Sequence, residues 1–99
     1  MNTTFTPPPE VANIAKRGLD IRIKQTPSNR AGTVTGIRTA YNLALRKPLN
    51  IDQIKQIHKF LTRNRRFTGF PETSKARQAW YMWGGNAAYK WTNAILKSL

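Results

Sequence analysis

Apolar residues recur along most of this chain at three- and four-residue intervals, the spacing that gathers them on one side of an α-helix. Val11, Ile14, Ala15, Gly18 and Leu19 predict a first helix from about Pro8 to Lys24. Prolines suit its first turn, where N–H groups have no partner, and Glu10 suits the positive end of the dipole, with Thr6 or a neighbour opening the helix. Gly18 in its interior costs about 1 kcal/mol relative to alanine, which points to a close helix crossing there. Gln25 to Gly32 reads as a loop, and Thr33 to Lys47 as a second helix ended by Pro48. Val34, Ile37, Tyr41 and Ala44 or Leu45 line one side of that helix, although the β-branched Thr33, Val34 and Thr35 leave a short opening strand as the competing reading.

The third helix has the clearest signal. Asn50 is a good N-cap with Gln53 at the capping-box position, and Ile51, Ile54, Ile57, His58 and Leu61 form one stripe. It frays into Arg63-Asn64-Arg65-Arg66, and a turn-rich connector, Phe67 to Thr73, follows. A fourth helix starts near Thr73 or Ser74 and carries Ala76, Trp80 and Trp83 until Gly84-Gly85 breaks or bends it. Asn86 to about Lys97 makes a fifth, with Trp91, Ala94 and Ile95 as its apolar face. The expected fold is all-α, a compact bundle of four to five short helices over residues 8–99, preceded by a mobile tail over residues 1–7.

Composition adds partners to this picture. Lys and Arg number 17 against four acids, a net charge of +13. Self-repulsion of that size opposes compaction, so its rationale lies in a polyanion, whose neutralisation releases condensed counterions. Nucleic acid is the first expectation, DNA ahead of RNA, and an acidic protein the second; insertion into a membrane is not expected, since no run approaches about 18 apolar residues. The absence of Cys removes disulfides and thiolate metal sites. Met1 to Glu10 lacks the pattern of a secretory signal, so the host cytoplasm or nucleoid, or the inside of a virion, is the expected location.

Four constellations bear on chemistry. Helices two and three, joined through Arg46-Lys47-Pro48-Leu49-Asn50, are compatible with a helix-turn-helix-like unit whose second helix brings Gln53, Lys55, Gln56 and Lys59 to bases or phosphates; an ordinary helical hairpin with a solvated basic face has the same pattern. Arg63, Arg65 and Arg66, with Lys59 a turn upstream, exceed what a helix C-terminus needs and suit phosphate oxygens. Arg46 and Lys47 come next, beside a turn. The segment Trp80 to Gly85, with Tyr89 and Trp91, can stack on unpaired bases, but its helical spacing favours the core, Tyr81 being the ring expected outside. Gly32 to Gly36 can offer backbone N–H groups to a phosphate but lacks the lysine of a nucleotide-hydrolysing loop.

Catalysis lacks materials. His58 is the single histidine, lies by an apolar stripe and is expected to be packed, and the acids Glu10, Asp20, Asp52 and Glu72 are dispersed. No enzyme activity, metal or cofactor is expected, and a homodimer is compatible with the small area one domain offers for recognition.

The chain also resembles a small helical domain of phage-related proteins associated with head and maturation genes. The matching pattern is Pro8-Pro9-Glu10-Val11, Ala15 to Leu19 with Arg22, Gly32-Thr33, Gly36 with Arg38-Thr39-Ala40, Leu49 to Phe60, and Ala79 to Ala87 with Trp91. The resemblance implies an all-helical module of phage origin and carries no activity or functional residues with it. Relatives of that domain are more acidic near the third helix and after the diglycine, so Arg63-Asn64-Arg65-Arg66 and Asn86 tie the extra basicity to what this particular protein does.

Overall fold

The computed structural model describes residues 3–99. They fold as five helices: α1 (Pro9–Ile23), α2 (Val34–Ala44), α3 (Ile51–Arg63), α4 (Lys75–Met82) and α5 (Gly85–Lys97), with short 3₁₀ turns at Pro27–Asn29 and Arg65–Gly69. The bundle measures 44 × 24 × 21 Å. α1 is the hub, packed on α4 and α2, while α3 packs mainly on α5.

Local chemistry explains the boundaries. Thr33, Asn50 and Ser74 each accept an N–H from the first turn of α2, α3 and α4, and at α3 Gln53 completes the capping box. α1 instead begins on Pro8 with no side-chain cap, so Thr6 does not open it. Gly84 and Gly85 adopt positive φ (94° and 59°), which turns the chain sharply from α4 into α5. The core gathers Val11, Leu43, Ile54, Leu61, Trp80 and Met82, with Trp83 beside them.

Two expectations are corrected. The segment expected to be a mobile tail is docked from Phe5 onward: Phe5 and Leu49 exchange both backbone hydrogen bonds at 2.8 and 2.9 Å, and Pro7 is fully buried. Met1 and Asn2 lie outside the described residues. In α2 the expected apolar side is only partly buried: Val34, Tyr41 and Leu45 are exposed by 74, 53 and 62 %, while Ile37 packs against the core and Ala44 is buried. Its buried face is Gly36, Ala40, Leu43 and Ala44, and the helix packs on α1. Three of these four are Gly or Ala, small residues that pack well but that a hydropathy pattern does not pick out.

A candidate nucleic-acid interface

Along α3, Lys55, Lys59 and Arg63 recur every fourth residue and are all exposed, a continuous cationic stripe on one face. Gln56 flanks it. Gln56, Lys59 and Arg63 line the edge of a groove with Phe60, Asn64 and Trp83. The groove continues past Gln56 between α2 and α3, where Arg38, Thr39, Asn42 and Gln53 line it.

This groove bears on the helix-turn-helix-like reading. α2 and α3 follow one another through the turn, but α2 is braced by α1 and α3 by α5, so they do not form a self-packed pair. α3 is held as a helix lying on the surface with its polar edge free.

The arginine cluster divides. Arg63 ends the stripe, whereas the Arg65 guanidinium lies 4.7 Å from the centre of the Tyr89 ring on α5 and that of Arg66 lies 5.2 Å from the Phe67 ring. Arg66 also donates to the Arg63 carbonyl. Both remain exposed, so each aromatic face orients a charge without neutralising it. Arg46 is engaged within the fold. It sits at φ 53°, and its Nε donates to the Pro7 carbonyl at 2.8 Å, fastening the N-terminal segment to the α2–α3 turn. Lys47 is exposed beside it.

The acids leave these charges alone. Among the described residues the one ion pair joins Arg17 of α1 to Glu72, just before α4. Glu10 and Asp52 occupy the first turns of α1 and α3, where they offset helix dipoles. No group of three metal-ligating side chains forms among the described residues. His58 is packed, with its Nδ1 3.2 Å from Thr92 Oγ1 and its ring stacked on Tyr89. Among the described residues no helix is long and apolar enough to cross a membrane.

Sequence reasoning missed a cleft of about 740 Å³ beside the stripe. Phe60 and Trp83 stack there at 4.2 Å and 11°, and Phe67 meets Phe60 edge-on. The segment from Arg30 to Gly36 forms one wall and the start of α4, with Lys75 and Ala76, another. The first wall is fixed by Gln78, which is fully buried: its Oε1 accepts the Ala31 N–H at 3.0 Å, and its Nε2 donates to the carbonyls of Asn29 and Thr73. Arg77 donates to the carbonyls of Thr68 and Phe70, tying α4 to the turn that carries Phe67. The sequence points to stacking at Trp80 to Gly85, Tyr89 and Trp91 and not at Phe60, because the cleft exists only once three separate stretches, 30–36, 56–67 and 75–83, meet.

Fold and site together define a small basic five-helix bundle with a cationic helix edge beside an aromatic cleft. Comparison with family models, curated proteins and solved structures finds no match to this chain.

Proposed function

We propose that the protein binds nucleic acid without catalysing a reaction, gripping the phosphate backbone through α3 and the turn after it. The observation that carries this reading is the stripe Lys55, Lys59 and Arg63, repeated at one helical face and left without acidic partners in a chain of net charge +13. Arg65 and Arg66 extend it, pre-oriented on Tyr89 and Phe67, so that little freedom is lost when their planar forks meet phosphate oxygens. Arg46 and Lys47 supply charge from the neighbouring turn. DNA is the preferred polymer in this proposal, and a phage-encoded protein its setting, the latter resting on the sequence resemblance alone.

The test is a titration of duplex DNA, single-stranded DNA and RNA at several salt concentrations. Binding at about 50 mM salt should fall steeply as salt rises, because each phosphate contact adds about 0.9 to the slope of log affinity against log salt on duplex DNA. Lys59→Ala with Arg63→Ala is expected to weaken binding to all sequences alike and to flatten that slope by about 1.8. No binding to any of the three at low salt overturns the proposal and leaves an acidic protein as the partner.

A further inference from the structure

The aromatic cleft is not needed for gripping phosphates, and its chemistry differs from that of the stripe. Phe60, Phe67 and Trp83 give it an aromatic surface, and no acidic residue lines it. Its mouth is cationic, with Arg30 and Lys75 on it and Lys59 and Arg63 on the adjoining groove. Arg30 is already held, its Nε donating to the Gln25 carbonyl and its Nη2 to that of Ile23, both at 3.1 Å.

Polar groups converge on the same space. Trp83 is only 7 % exposed and lines the cleft, and no side-chain hydrogen bond among the described residues uses its indole N–H. It lies beside Gly36, where a Cβ would stand 3.4 Å from Nε1, so the missing side chain leaves that donor uncovered. At the start of α2, Thr33 Oγ1 accepts the Gly36 N–H, which leaves the Val34 and Thr35 N–H groups as first-turn donors with no intrahelical acceptor. Asn64, which donates to the Phe60 carbonyl, keeps its side-chain oxygen as an acceptor on the cleft wall.

A flat aromatic ligand that carries a negative charge fits each of these features. We propose that the cleft accepts an unpaired nucleobase, with the phosphate of its nucleotide at the cationic mouth near the α2 N-terminus. The protein's preferred partner is then single-stranded nucleic acid, a conclusion that rests on the phosphate-binding reading above. A duplex keeps its bases stacked and cannot place one here, whereas a single strand adds a base–aromatic contact to the same phosphate contacts.

The test compares a single-stranded oligonucleotide with an abasic strand of equal length and charge. Base-bearing strands are expected to bind about tenfold more tightly, the scale of one base–aromatic contact. Ala76→Leu places a strong helix former on the cleft wall and fills it, and Gly36→Ala covers the indole N–H at ordinary contact distance. Either variant, with its unfolding temperature checked, should bring the two strands to equal affinity while leaving the abasic strand's affinity unchanged. Equal binding of both strands to the unaltered protein overturns the cleft proposal and leaves the phosphate-binding reading standing. A base preference that survives both variants places the base elsewhere and also overturns it. Failure of both strands to bind at low salt removes the phosphate-binding reading and this one with it.

Discussion

Gly18 lies where α1 runs against the end of α4, and a Cβ there would stand 2.6 Å from the Met82 N and 2.8 Å from the Tyr81 Cβ. Neither atom is the end of a flexible side chain, so backbone must shift to admit it. Alanine gains about 1 kcal/mol of helix propensity, but forced repacking costs about 1–3 kcal/mol. Gly18→Ala is therefore expected to lower the unfolding temperature by about 4–8 °C for each net kcal/mol lost. Gly69→Ala, where a Cβ meets nothing within 4 Å, is the control and should leave it unchanged. A melting temperature raised by Gly18→Ala would show that the crossing yields. This crossing was legible as a glycine inside a helical pattern. The cation–aromatic pairs were not: Arg65 and Tyr89 meet only once α5 lies against α3.

At the scale of elements, the helices with strong caps were legible and the contacts between them were not. Asn50 and Gln53 announce α3 because a capping box is a local device whose partners lie three residues apart. α2 misleads in part, since Val34, Tyr41 and Leu45 look like a buried side, while Gly36 and Ala40, nearly silent on a hydropathy scale, are buried with Leu43 and Ala44. A single pair of backbone hydrogen bonds is likewise too short to leave a pattern, which is why the segment through Phe5 and Pro7 looks like a tail in the sequence. Its removal tests the docked arrangement. A chain beginning at Pro8 loses both partners of Leu49, a residue only 2 % exposed, together with the burial of Pro7. The expected loss is about 1–3 kcal/mol after the entropy of ordering is set against it, seen as an earlier midpoint in urea. An unmoved midpoint would return the segment to the status of a tail.

For the whole molecule, charge acts in opposite senses on stability and on binding. A net charge of +13 relieved by a single ion pair among the described residues leaves the folded state repelling itself. Raising salt from about 10 mM to about 1 M shortens the screening length from about 30 Å to about 3 Å, which spans and then falls well below the 21 Å thickness of the bundle. The unfolding temperature is expected to rise over that range while affinity for nucleic acid falls; a melting temperature that falls or stays flat would mean the cations are spaced too widely to oppose folding. The bridge between Phe5 and Leu49 also sets an order of events in time. Synthesis at about 5–20 residues per second delivers Leu49 roughly 2–9 s after Phe5. Through that interval Phe5 and Pro7 have nothing to dock on, so a segment made early is placed late, after the α2–α3 turn that receives it has formed.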